Sequence, residues 1–367
     1  MDITKKRERH RRFWQPLEKG EGGYLSTISP IDNAAPRPTP GSRPEDRWLD
    51  VDYRMSVTEW ESDNMFFGQD ALHCPFTNYG PGVLAALLGG DYRFTDQSVW
   101  FDLEPIVKDW DNPPQLTIQK DHPLYKSLEG YTRALSEQAS GRYFASVTDI
   151  GGQYDVLYSL RAEDMLMDLL EYPELIIAVE EKIDLAFIDY FNFLTEIVTK
   201  GGGCNGGGGI GYTSWMPLVS DTPWYPIQCD VSVMISPAMF EKFIMPALDM
   251  VSRAVGQTIY HLDGPGEIQH LDMILTLPHL HAIQWVPLPA LQSDGQIYQS
   301  FVDEISIDIY KRSKKAGKKV FLYGVRPDQV AKVYDAVGSD GVFIFCYMPT
   351  KKESDQLIEM VKKNYIR

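Results

Sequence analysis

The sequence predicts an α/β protein built as a (β/α)8 TIM barrel with an irregular amino-terminal arm, and three observations carry that expectation. From about Phe144 onward, short apolar runs alternate with amphipathic helical stretches joined by short turns. No Gly-x-Gly-x-x-Gly fingerprint accompanies them, which favours a closed barrel over an open dinucleotide-binding sheet. Polar or reactive side chains recur at the carboxyl ends of the expected strands, at Asp149, Asp263, Trp285, Tyr323 and Cys346. That is the end at which barrels gather their chemistry.

Taken in order, the basic stretch Lys5–Arg12 ahead of Phe13-Trp14 reads as a solvated amphipathic helix. Residues 20–60, rich in Pro, Gly and Asp, read as an irregular arm. The chain therefore divides into a helix and arm over 1–75 and a barrel over 76–367, within a single domain. Phe144–Asp149 reads as a strand, followed by Gly151-Gly152 and a helix through Leu160 to Leu170. Pro173 sits near the start of a long amphipathic helix, Glu174–Lys200, whose apolar Ile177, Val179, Ile183, Ala186 and Phe187 suit a sheet-facing surface. The glycine run around Cys204 lacks the Gly-Lys-Ser/Thr ending of a phosphate-binding loop and reads as a loop. Ile210–Trp215 reads as another strand. Val231–Ile235 leads into Ser236-Pro237, an N-cap and first-turn proline that open a helix to Val255, closed by Gly256. Thr258–Asp263 is a strand stopped by Gly264-Pro265-Gly266. Strands at His281–Trp285, Lys319–Tyr323 and Gly341–Cys346 follow, with helices at 296–316, 326–337 and 351–364.

Hydrophobic residues at 44% and charged residues at 23% provide for a sizeable core. A net charge of −16 disfavours nucleic acid and anionic membrane surfaces as partners. It also fits poorly with a polycarboxylate substrate, unless a local basic pocket overrides the average. Four widely spaced cysteines without a CxxC pair, no membrane-length apolar run and no signal peptide point to a cytoplasmic enzyme with reduced thiols.

The most informative segment is His261-Leu262-Asp263-Gly264. Side chains two apart on a strand share a face, so His261 and Asp263 project together at its carboxyl end. An imidazole and a carboxylate so placed can bind a metal or exchange a proton. Asp149 and Tyr323, at other strand ends, are expected near the substrate. Trp215, Trp224, Tyr225, Trp285 and Tyr323 form an aromatic set that would wall an apolar pocket, with Trp215 and Trp285 the candidates to hold a cofactor face. Gln228-Cys229-Asp230 offers a further ligand beside an expected structural role. His270, Asp272, His279 and His281 read as structural, and His73-Cys74 as packing or as a cover for the mouth.

Several stretches together resemble the uroporphyrinogen decarboxylase superfamily. They are Gly151-Gly152-Gln153-Tyr154-Asp155-Val156-Leu157 with Leu160-Arg161-Ala162-Glu163-Asp164, Asp168-Leu169-Leu170 with Pro173-Glu174, Ile235-Ser236-Pro237-Ala238-Met239-Phe240 with Pro246, and Tyr260-His261-Leu262-Asp263-Gly264. The likeness spans roughly residues 75 to 365 and implies a (β/α)8 barrel. One branch of that superfamily decarboxylates without a cofactor, through an Arg-Gln-Ala-Gly-Arg-Tyr signature whose arginines hold substrate carboxylates. Arg37, Arg43 and Arg47 occupy the corresponding region without reproducing it. The other branch moves a methyl group between a corrinoid and a thiol on a bound zinc, using His-x-Cys and a cysteine on the last strand. The resemblance therefore implies His261 and Cys346 as zinc ligands, with Asp263, in place of cysteine, as a third ligand or acid–base partner. The resulting expectation is a metal-dependent methyltransferase working with a small-molecule methyl donor or acceptor and a corrinoid or corrinoid protein. Its alternatives are a metal-free decarboxylase or other lyase and a barrel that binds a tetrapyrrole or corrinoid without turnover.

Overall fold

The computed structural model describes residues 2–101, 104–139, 141–201, 215–291 and 297–366. Its centre is a seven-stranded sheet of β1 (Tyr24–Pro30), β2 (Met65–Gln69), β3 (Trp224–Ile227), β4 (Gln257–Asp263), β5 (Leu280–Val286), β6 (Lys319–Tyr323) and β7 (Val342–Tyr347). The spatial order is β2-β1-β7-β6-β5-β4-β3. Only the β1–β2 pair is antiparallel. From β3 to β7 each strand lies beside its successor, and helical segments carry the chain back between them. This is the expected alternation: apolar strands buried on both faces and helices covering them. No helix among the described residues is long and apolar enough to cross a membrane.

The amino-terminal region departs from the sequence-based expectation. Tyr24–Pro30 is not part of an irregular arm but a sheet strand paired in parallel with β7, Thr27 opposite Cys346. The expected boundary at residue 75 therefore falls after two strands of the sheet. Ser26, Thr27 and Ser29 made this strand hard to read, because they are buried hydroxyls in an otherwise apolar run. Thr27 Oγ1 is 2.6 Å from Ser354 Oγ, which satisfies its polarity locally.

Helix Ile3–Phe13 is likewise no solvated appendage. Lys6 donates to the carbonyls of Phe67 (2.7 Å) and Ala71 (2.8 Å), and Arg9 pairs with buried Asp70. Phe13 meets Tyr24 and Phe343 edge-on, while Trp14 lies 5.0 Å from Trp224. Lys6 and Arg9 are cations with specific buried or part-buried partners. Burial holds the fully enclosed His10 down to about 4, so it stays neutral. Its Nδ1 accepts from Val219 N–H and its Nε2 donates to the Asp70 carbonyl.

Segments outside the sheet ladders link the two edge regions. Asp70 N–H donates to Leu25 O, Phe144 N–H to His73 O, and Thr77 bonds Ser146. Ile150 N–H then donates to the hydroxyl of Tyr225 on β3 (2.7 Å). The stretch Phe144–Asp149, expected as a strand, thus lies between these partners without joining a ladder. The helix expected through Leu160–Leu170 is split into Gln153–Arg161 and Asp164–Glu171 at Ala162, whose φ is 57°. The helix expected over 296–316 begins at Glu304, capped by Asp303, whose carboxylate accepts from Ser306 N–H (2.7 Å). The glycine run with Cys204, and Ile210–Ser214 of the expected strand, lie outside the described residues.

Candidate metal centre

Directly after β3 the chain makes a single helical turn, Asp230–Met234. Its entry is fixed by Asp155, in the first turn of helix Gln153–Arg161. That carboxylate accepts from the N–H groups of Asp230 (3.0 Å) and Val231 (2.8 Å). Glycine is required at 152, because a Cβ there would stand 2.2 Å from Asp155 Oδ2 and 2.8 Å from the Gln228 carbonyl. Asp230 is thereby delivered to the carboxyl end of the adjacent strand β4, where His261 and Asp263 share a face. One ligand atom from each of Asp230, His261 and Asp263 lies within 4.8 Å of the others.

The protonation of His261 follows from its neighbours. Trp215 Nε1 can only donate, and it lies 3.0 Å from Gln284 Oε1. The Gln284 atom at this point is therefore the amide oxygen. His261 Nδ1 is 2.8 Å from the same oxygen, so Nδ1 carries the proton and Nε2 keeps its lone pair. The Trp215 and His261 rings also meet edge-on, 5.3 Å apart. A histidine held by one nitrogen through an acceptor, with the other left bare, is the arrangement that metal-binding imidazoles use.

The surroundings are acidic, with Asp263 exposed and His261 half-buried. Asp230 Oδ1 is buried without a hydrogen-bond partner. Burial, and then the charges of Asp155, Asp263 and Asp149, drive the Asp230 carboxyl well above the ordinary carboxylate range. Burial holds the imidazole of His261 below its usual value, although the Gln284 bond and Asp263 act the other way. Glu267 accepts from the Tyr260 hydroxyl (3.1 Å) and Asp263 N–H (3.2 Å); burial and Asp230 push it up to about 10. Asp149 accepts from Gly151 N–H (3.1 Å) and the Tyr225 hydroxyl (3.3 Å), yet burial raises it to about 7. Crowded carboxylates of this kind must either take up protons or gain a cation. Two carboxylates and one neutral imidazole form a hard donor set that suits zinc or a comparable divalent ion with open positions.

The remaining sequence-predicted residues divide clearly. Trp215 is in place against His261. Tyr323 bonds the hydroxyl of Tyr347, and both line a cavity next to Trp215. Asp149 is close enough to bear on Asp230 without joining the donor cluster. Trp285 does not face this site: it alternates with Gln284, and its Nε1 donates to Ser306 Oγ on helix Glu304–Lys315 (2.8 Å). Trp224 packs on Trp14, away from the cluster.

Cys346 also requires correction. Its strand neighbours Phe345 and Tyr347 line the cavity, so alternation turns the thiol to the opposite face. There it is fully buried beside Tyr334 of helix Pro327–Val337, and burial raises its pKa. It does not join the His261 cluster. The small, branched side of β7 faces the helices. Asp230 supplies the third donor, whereas the neighbouring Cys229 is buried with its thiol pKa raised. Gln284 was legible only as a lone amide in an apolar strand, a residue type that must find a partner when buried.

Two cavities flank the cluster. One of about 580 Å³ reaches Trp215, and another of about 300 Å³ reaches Asp155 and Asp230. Arg37, Arg47 and Arg54 all line the larger one, so guanidinium groups do cluster here despite the absence of the arginine signature. Arg43 instead pairs with Asp46 (2.6 Å). His73 and Cys74 also line this cavity. His270 is stacked on Phe240 at 4.2 Å, and Asp272 pairs with Arg312. No family model and no curated protein matches this chain.

Proposed function

We propose that the chain is a metal-dependent methyltransferase whose Asp230, His261 and Asp263 hold a divalent ion at the carboxyl ends of the strands of a closed (β/α)8 barrel. The observation that carries the metal is the convergence of three ligand atoms within 4.8 Å, with His261 held so that Nε2 is bare. Closure of the barrel is supported by the hydrogen bonds that lead from Leu25 through His73, Phe144 and Ile150 to Tyr225. Methyl transfer enters through the resemblance of residues 75 to 365 to the superfamily named above. A bound divalent ion supplies Lewis acidity towards a methyl donor or acceptor. Gln284 holds the imidazole, Asp155 holds the backbone of Asp230, and the flanking cavities give room for two reactants. A cavity of about 580 Å³ suits a small molecule. A corrin macrocycle with its side arms is bulkier, so the corrinoid belongs on a separate protein presented at the mouth. The described cysteines are free thiols, in keeping with a reducing cytoplasm.

A second reading is a metal-free acid–base lyase, favoured by Asp149, which changes protonation near neutral pH at about 7. Elemental analysis of protein purified without chelator separates the two. About one equivalent of metal, lost in His261→Ala and Asp230→Ala, supports the metal centre. Metal-free protein that does not take up zinc or manganese on titration supports the lyase.

A further inference from the structure

The cavity beside Trp215 carries an electrostatic feature that the metal cluster does not use. Arg54 is 8% exposed and clamped between the rings of Tyr79 (4.2 Å) and Tyr131 (4.3 Å). It donates to the Asn78 carbonyl (2.8 Å) and to the Tyr131 hydroxyl, and its Nε has no partner. Arg47 Nε is also buried without one. Among the described residues, neither guanidinium lies within ion-pair distance of a carboxylate. Of the acidic residues on the cavity wall, Glu61 is taken by Arg37 (3.2 Å) and Asp96 is exposed. A buried, permanently charged group without a counter-ion is costly, and a bound anion offsets that cost. The wall also carries flat aromatic side chains, among them Trp60, Trp215, Tyr323, Phe345 and Tyr347.

We infer that this cavity is a binding site for a small aromatic carboxylate, its carboxylate held by Arg47 and Arg54 and its ring held among the aromatic side chains. This deepens the methyl-transfer reading by naming the class of the small reactant, and it rests on that reading only for what happens at the ligand's far end. Binding itself needs no metal, so the two ideas fail separately. The test is tryptophan fluorescence and calorimetric titration of the full chain, with and without chelator. The probes are a panel of methoxybenzoates and methoxynaphthoates, their neutral carboxamides, and acetate. Saturable binding of at least one aryl carboxylate is expected, about tenfold or more tighter than its carboxamide, with acetate not binding in the same range. Arg47→Gln is expected to remove about tenfold of the carboxylate affinity and leave the carboxamide unchanged. Arg54→Gln serves as a second variant where it folds. Equal affinity for acid and amide, an Arg47→Gln variant that binds the acid unchanged, or no saturation by any aryl carboxylate overturns the inference, whatever the metal content proves to be.

Discussion

Gln284 offers the most direct test of how His261 is prepared. Its single amide oxygen accepts from Trp215 Nε1 and His261 Nδ1, and the residue is 3% exposed. Gln284→Leu keeps the approximate volume but leaves both donors without an acceptor. A buried donor without a partner costs about 1–3 kcal/mol. Trp215 is only half-buried and can turn towards water, so the metal-free protein is expected to lose roughly 2–3 kcal/mol in a urea titration. The imidazole is then free to rotate or change tautomer, and metal affinity is expected to fall about 10–100-fold, the usual effect of removing a group that orients a ligand. Gln284→Glu restores acceptors to both donors and should recover most of that affinity. Chelator-competition titration of all three proteins decides the matter. A folded Gln284→Leu protein that binds metal within about twofold of the parent, or a Gln284→Glu protein as weak as Gln284→Leu, refutes the reasoning.

Two further expectations follow from burial. Burial pushes Asp149 up to about 7 in the folded protein, against 3.8 for an ordinary aspartate carboxyl, so the folded state holds its proton more tightly than the unfolded state. The sign is therefore the reverse of a salt-bridged carboxylate: its contribution is full below about pH 4 and is lost as pH rises through about 7. Urea unfolding of metal-free protein across that window should show a decline that Asp149→Asn flattens, by up to roughly 4 kcal/mol; an unchanged slope in the variant counts against the buried, protonated form. Cys346→Ala should leave metal stoichiometry intact and cost only about 1 kcal/mol of stability. Loss of the metal on that substitution would return the thiol to the site.

The sequence exposed those parts of the fold in which chemistry and periodicity agree. Strands β4 to β7 are apolar runs closed by turn residues, and the period of two correctly put His261 and Asp263 on one face. The same rule applied to β7 and β5 could not say which face was inward. That depends on what packs across the sheet: Phe321 against Phe343 on one side, Tyr334 beside Cys346 on the other. Aromatic side chains occupy the cavity side of β7, and small ones lie under the helices. Asp230 was hidden for another reason. No local periodicity places it near His261; a pair of backbone hydrogen bonds to Asp155, about 75 residues earlier, turns it there.

The uneven distribution of charge resolves an apparent conflict between an anionic ligand and a net charge of −16. Carboxylates gather on one side of Trp215, where Asp149, Asp155 and Glu267 lie around Asp230 and Asp263, and burial together with neighbouring charge raises the proton affinity of Asp149, Asp155, Asp230 and Glu267. Guanidinium groups gather on the other side, in the cavity that Trp215 also lines. An aryl carboxylate entering that cavity is drawn to Arg47 and Arg54 and repelled from the acidic side, so its uncharged end is the end left towards Trp215, whose ring meets that of His261. A divalent ion at Asp230, His261 and Asp263 would weaken that repulsion. Carboxylate orientation in the cavity should therefore be most strictly enforced in the metal-free protein, and a ligand carrying acidic groups at both ends should bind measurably better after metal is added.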